Sequence, residues 1–249
     1  AVRYAPEFDQ LYVAHAKGVS IYNGKTLELV TTVDLGSGVD ELQYDARSGR
    51  LYVGCMTAGK TGIAVIAIPE GKLVGKIALP DKVQGVVVER GGGRIYANMP
   101  TLKQVAVMDG SKLSLVATWA LADADGNTPL GLDEARHRLF VGTRRPAQVI
   151  VLDTTTGKAV TRFDINSDMD DLFYDAASQR IYVSCGEGFV DVIERRDADH
   201  YAVTARVATV AGARTSTFSA ELKSLYVGVP RRGEQPAEVR VFRVVNAGK

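Results

Sequence analysis

The chain has 249 residues, enough for one large all-β domain or two small ones, and its 30 basic and 29 acidic side chains nearly cancel to +1. That balance removes the global argument for nucleic acid, whose binders carry a basic patch or stripe. No apolar run reaches the ~18–20 residues of a membrane-spanning helix, whereas 25 glycines among many Val, Ile, Thr and Tyr suit short strands joined by turns.

One tripeptide recurs six times: Leu11-Tyr12-Val13, Leu51-Tyr52-Val53, Ile95-Tyr96-Ala97, Leu139-Phe140-Val141, Ile181-Tyr182-Val183 and Leu225-Tyr226-Val227, at spacings of 40, 44, 44, 42 and 44 residues. A period of ~40–45 residues with several short strands per repeat is the propeller signature. The predicted fold is all-β: a single β-propeller domain over 1–249, built of four-stranded antiparallel blades. Its repeats lie near 1–35, 36–80, 81–125, 126–166, 167–211 and 212–249.

Strand A of each repeat is predicted at 2–4, 41–44, 85–88, 130–132, 172–174 and 217–219. Four of these are followed by an acid and, five residues on, an arginine: Asp45 and Arg50, Glu89 and Arg94, Asp133 and Arg138, Asp175 and Arg180. An Asp in that place can accept a backbone N–H two residues on and fix an A–B turn. Strand B carries the tripeptide, and strand C is predicted at 19–22, 63–68, 105–108, 149–152, 190–193 and 239–244. Glycines 24, 71, 110 and 157 then supply C–D turns. Strand D is predicted at 27–33, 73–79, 115–121, 159–165 and 202–209, and no segment shows a helical period.

The sixth repeat stops after strand C, because 244–249 is too short for strand D, and the first repeat starts on strand A. A strand from upstream of Ala1 would complete the last blade, or an upstream segment would supply a further one. A start at Ala1 rather than Met fits a removed leader or a trimmed chain. Cys55 and Cys185 end equivalent strands three repeats apart. That separation predicts two free thiols, since a disulfide needs Cα atoms within ~7 Å.

In such blades the D–A and B–C loops share one face, around the central channel, where ligands are expected. That face brings acids of the fifth repeat (Asp168, Asp170, Asp171 and Glu187) opposite Arg144, Arg145 and Arg214, with Asn127 and His15 nearby. Arginines so placed could take carboxylates or phosphates. The alternative is a solvated rim whose charges pair with each other.

Other motifs fail on context. Residues 54–61 fit the phosphate-loop pattern G-x4-G-K-[ST], but a predicted strand follows where a helix is required. The run from Asn166 to Asp171 begins like an EF-hand but has Asp171 at the glycine position and Ala177 at the glutamate position. His137 and His200 fall on the turn face, leaving only His15 on the loop face. No nucleophile elbow is present. No catalytic residue, metal ligand or cofactor is assigned.

The L-Y-V strand, the apolar C strand and the G-K turn, as in residues 149–158, resemble YVTN-type propeller repeats. Residues 132–142, 170–177, 186–190 and 212–216 resemble the YncE-like bacterial proteins of that family. The resemblance implies an exported propeller, periplasmic or secreted, commonly of seven blades, with no catalytic positions to carry over. Three functions follow as expectations. The first is a binding or interaction scaffold contacting a protein or small charged molecule through the loop face. The second is a lactonase-like hydrolase or redox-associated enzyme. The third is a structural module whose partner sits on the open last blade.

Overall fold

The structure is a computed structural model that describes residues 1–245 apart from 92 and 198. The reading of 246–249 as too short for a strand therefore lies outside the described residues. The chain groups into two compact units, Ala1–Asp123 and Ala124–Lys249.

The first unit holds three blades. Blade 1 is Val2–Ala5, Gln10–His15, Gly18–Asn23 and Leu29–Asp34 (β1–β4). Blade 2 is Val39–Asp45, Arg50–Cys55, Gly62–Ala67 and Lys72–Ala78 (β5–β8). Blade 3 is Val86–Val88, Arg94–Met99, Gln104–Asp109 and Ser114–Ala120 (β9–β12). In the second unit, blade 4 is Leu130–Asp133, Arg138–Arg144, Ala147–Asp153 and Ala159–Asp164 (β13–β16). Blade 5 is Met169–Asp175, Arg180–Cys185, Phe189–Arg195 and Tyr201–Ala208 (β17–β20), and blade 6 is Thr215–Ser219, Ser224–Val229 and Glu238–Arg243 (β21–β23). Every sheet is antiparallel with neighbours in chain order, so the fold is the expected all-β propeller of six blades. Among the described residues the last blade has three strands, as its sequence predicts. Among the described residues the one short helix is a 3-10 turn, Glu134–Arg136, in the A–B turn of blade 4.

Packing explains the tripeptide. Its central ring is fully buried at Tyr12, Tyr52, Tyr96 and Phe140, and nearly so at Tyr182. The rings of Tyr12, Tyr52, Phe140 and Tyr182 lie in apolar layers between successive blades of one unit, such as the layer joining Phe140 and Val151 to Leu172, Ile181 and Val183. In blades 2 to 4 the second and third strands are buried along most of their length, on both faces, and read as mostly apolar runs. Outer strands such as Leu29–Asp34 are mostly exposed.

The acid-arginine pairs do more than make turns. Asp45 and Asp175 do accept the N–H two residues on, from Arg47 at 3.2 Å and Ala177 at 3.1 Å. Glu89 and Asp133 instead accept hydroxyls, from Tyr96 at 2.7 Å and Tyr174 at 2.7 Å. Three of the arginines reach the following blade: Arg50 donates to the Gly110 carbonyl, Arg138 to Asp199 and Arg180 to the Val245 carbonyl. The C–D turns are held by Asn23, Asp109 and Asp153, each of which accepts two backbone N–H groups of its own turn. Those bonds, led by the one from the Ser111 hydroxyl, pull the Asp109 pKa down to about 2.

Both cysteines are free and buried. Burial pushes both thiols up, and at Cys185 nearby Asp191 adds to the effect.

Candidate functional site: a charged loop face on the second unit

Loops predicted to share a face are bonded to each other. The N–H of Met56 reaches the Gly38 carbonyl at 2.9 Å, that of Asp125 reaches Arg145 at 2.9 Å, and that of Gly186 reaches Asp168 at 2.8 Å. Each bond ties a D–A loop to the B–C loop of the same blade.

One expectation changes here. A strand predicted to begin at 172 leaves Asp170 and Asp171 in the D–A loop, but they belong to strand β17, which starts at Met169. The register shifts between Met169, opposite Cys185, and Asp171, opposite Ser184. Asp170 is the extra residue of a β-bulge, a device that re-aims a side chain. Blade 2 repeats the irregularity between Val39 and Glu41. An apolar–polar pattern does not reveal a strand whose first residues are acids.

The bulge builds a ladder of alternating charge. Arg144 Nη2 donates to Asp170 Oδ1 at 2.7 Å, and its Nε reaches the Met169 carbonyl at 3.3 Å. Arg214 Nε lies 3.5 Å from Asp170 Oδ2, while its Nη1 donates to both oxygens of Asp168 at 2.6 and 2.7 Å. The order is Arg144, Asp170, Arg214, Asp168, and all four side chains are 32–41% exposed. Hydrogen bonding to Asp168 is the main cause that holds the Arg214 guanidinium above its ordinary pKa.

Two backbone details hold the ladder. Asp168 sits at φ 58°, in the left-handed region that Asp tolerates better than most residues. A Cβ at Gly186 would collide with the Asp168 carboxylate, so Asp168 keeps its place beside Arg214 only with glycine there.

The remaining predicted residues divide. Asp171 Oδ2 accepts the Ser216 N–H at 2.6 Å and joins blade 5 to blade 6. Glu187 accepts the Ser167 N–H at 2.8 Å and its hydroxyl at 2.9 Å, which lowers its pKa. Arg145, 74% exposed, pairs with Asp125 at 3.2 Å. Asn127 is fully buried. His15 ends strand β2 in the first unit, where its Nδ1 accepts the Lys17 N–H at 3.2 Å. The structure thus brings Arg144, Asp168, Asp170 and Arg214 into one network, with Asp171 and Glu187 bracing the adjoining backbone.

Sequence reasoning missed Asp191. It is fully buried in strand β19 and accepts the Asn166 N–H and side-chain amide, both at 2.6 Å. This pins the loop that carries Asp168. The available signal was one acid inside an apolar third strand, where the equivalent positions are Ser20, Ala64, Ala106 and Ile150.

The residues of the rejected motifs can be placed in the structure. Residues 54–61 run from the end of β6 into strand β7, with no helix to receive a phosphate. In the EF-hand-like run, Asp168 and Asp170 face arginines and the Asn166 amide faces Asp191. Among the described residues no three His, Cys, Asp or Glu side chains form a metal-binding group.

No protein-family model matches the chain. No curated protein sequence matches it either. Solved structures do. A chain of the Kuenenia stuttgartiensis hydrazine synthase superposes with a TM-score of 0.78 at 16% identity, over 92% of this chain and 72% of that one. A chain of a mitotic checkpoint complex superposes with a TM-score of 0.82 at 15% identity, over 98% of this chain and 74% of that one. At such identities the likeness is one of fold, and the fold shared is the β-propeller.

Proposed function

We propose that this chain is an exported propeller of the YVTN type, periplasmic or secreted, that works as an interaction scaffold. Its recognition face is the ladder Arg144–Asp170–Arg214–Asp168. The observation that carries this reading is the ladder's self-pairing. Each guanidinium already holds a carboxylate, so a free phosphate or carboxylate would have to displace an intramolecular partner at no net gain in ion pairs. A protein surface with its own alternating charges can add to the half-exposed outer edges without breaking the ladder, a complementarity that favours specificity over raw affinity. The YVTN and YncE-like assignment and the export rest on the repeat motifs of the sequence.

A photo-cross-linking residue at position 145, on the loop face, is compared with one at position 155, on the turn face, in the cells that make the protein. The scaffold reading expects a defined partner captured from 145 alone and lost when Arg214→Ala is added. Equal capture from both positions, or capture indifferent to Arg214, would overturn it.

A further inference from the structure

The A–B turns of blades 2 and 5 are built alike. Residues 45–52 read DARSGRLY and residues 175–182 read DAASQRIY. Their registers match: Asp45 lies opposite Arg50 and Gln43 opposite Tyr52, as Asp175 lies opposite Arg180 and Phe173 opposite Tyr182. The fifth residue of each turn is left-handed, Gly49 at φ 62° and Gln179 at φ 57°. In both turns the Oδ1 atom of the acid accepts the N–H two residues on.

The second carboxylate oxygen separates the two. In blade 5, Ser178 Oγ donates to Asp175 Oδ2 at 2.6 Å and lies 3.5 Å from the Tyr182 hydroxyl. The serine thus joins the acid to the tyrosine. In blade 2, Asp45 Oδ2, Ser48 Oγ and the Tyr52 hydroxyl are all shut off from solvent, and none has a hydrogen-bond partner among the described residues. Asp45 is 8% exposed and Tyr52 is fully buried. The same tyrosine is satisfied in blades 1 and 3, where Tyr12 donates to Gln10 at 2.6 Å and Tyr96 to Glu89 at 2.7 Å. Asp45 also looks outward from its blade: its Oδ1 accepts the Gly91 N–H of the blade 3 turn at 3.4 Å, whereas both bonds of the Asp175 carboxylate stay inside its own turn.

Buried polar groups in native proteins find partners in the chain or in ordered water. The three oxygens of blade 2 define what that partner must be. A carboxylate oxygen accepts only, so it needs a donor, and each hydroxyl can donate. An anion is repelled by Asp45. Calcium takes about six to eight oxygens, and this set supplies three. One water meets all three demands, donating to Asp45 Oδ2 and accepting from Ser48 and Tyr52, and about three bonds is the usual number for an internal water.

We propose that blade 2 holds an integral water bound by Asp45 Oδ2, Ser48 Oγ and the Tyr52 hydroxyl. This water does in blade 2 what the Ser178 hydroxyl does directly in blade 5, tying the tyrosine of the second strand to the turn. With Gly91 on the other oxygen of Asp45, the water-bound carboxylate also fastens the turn of blade 2 to that of blade 3. The site lies in the first unit and does not depend on the charged ladder.

A crystal structure of the 249-residue chain, with and without a rubidium chloride soak, tests the site directly. The expected result is one ordered peak about 2.6–3.2 Å from all three oxygens, with no anomalous signal from rubidium. A direct bond from Ser48 Oγ to Asp45 Oδ2, as in blade 5, would overturn the proposal. So would an anomalous rubidium peak, which would make the ligand a monovalent cation. Tyr52→Phe, which keeps the ring and its packing, gives a second readout in chemical denaturation. Removing a water-bound hydroxyl is expected to lower the folding constant about fivefold. An unchanged or raised constant would mean that the hydroxyl has no partner, and would also overturn the proposal.

Discussion

Blades 5 and 6 are neighbours in one unit with the same second-strand motif, yet they are finished differently. In blade 5, Tyr182 and Val190 are 5% and 2% exposed, and strand β20 closes the sheet. In blade 6 the equivalent Tyr226 is only half-buried and Val239 is 66% exposed. Blade 5 also carries the polar devices: the buried Asp191, the bulge at Asp170 and the ladder to Arg144 and Arg214. A complete blade can therefore hold charged groups in fixed positions on its loop end. Blade 6, with three strands among the described residues, leaves backbone and apolar surface exposed instead.

The largest test of this contrast is in the rings. Tyr182→Ala is expected to cost about 3–5 kcal/mol in chemical denaturation, the usual range for a buried aromatic. Tyr226→Ala should cost less than half as much, because less of its surface is buried; equal losses would break the comparison. Next comes Asp191→Ala. It removes the buried acceptor of two donors on the half-buried Asn166 and should cost about 1–3 kcal/mol, with faster exchange of the amides at 166–168. Gly186→Ala should follow, at about 1 kcal/mol or more, because the new methyl pushes Asp168 out of its bond to Arg214. Its sharper readout is a crystal structure in which the ladder has opened while the strands of blade 5 are unchanged.

The smallest effect is in acid. The folded-state pKa of Glu187 is lowered by the Ser167 backbone and hydroxyl donors. Its contribution is therefore fully present above the unfolded value of ~4.3 and is lost as pH falls through the lower folded value. Glu187→Gln should flatten the stability profile in that window only. As an independent check on burial, thiol reagents should leave Cys55 and Cys185 unmodified until the chain unfolds, since both are at most 2% exposed.

Most of the scaffold was readable from the sequence because it obeys short periods. The six tripeptides, the glycine turns and the three described strands of blade 6 all follow from strand alternation and repeat length. The site was less readable. The acids near 168–171 and the arginines at 144 and 214 could be placed on one face from loop order alone. That Asp170 sits on a bulge depends on the pairing of Met169 with Cys185, a long-range fact with no local signature. The arginines at 50, 138 and 180 recur at a fixed offset, but their reach into the next blade depends on how the blades are stacked. Asp191 was the clearest missed signal, an acid in the middle of an apolar strand.

The most direct measurement of the contrast between the two blades is native-state hydrogen exchange on the unliganded chain, comparing strand β19 with strand β23. Both sets of β19 amides are expected to be protected, as in a strand paired on both sides. In β23 only the set facing β22 should be protected, with the alternate amides exchanging close to the rate of an unstructured peptide. Uniform protection along β23, matching β19, would contradict the account.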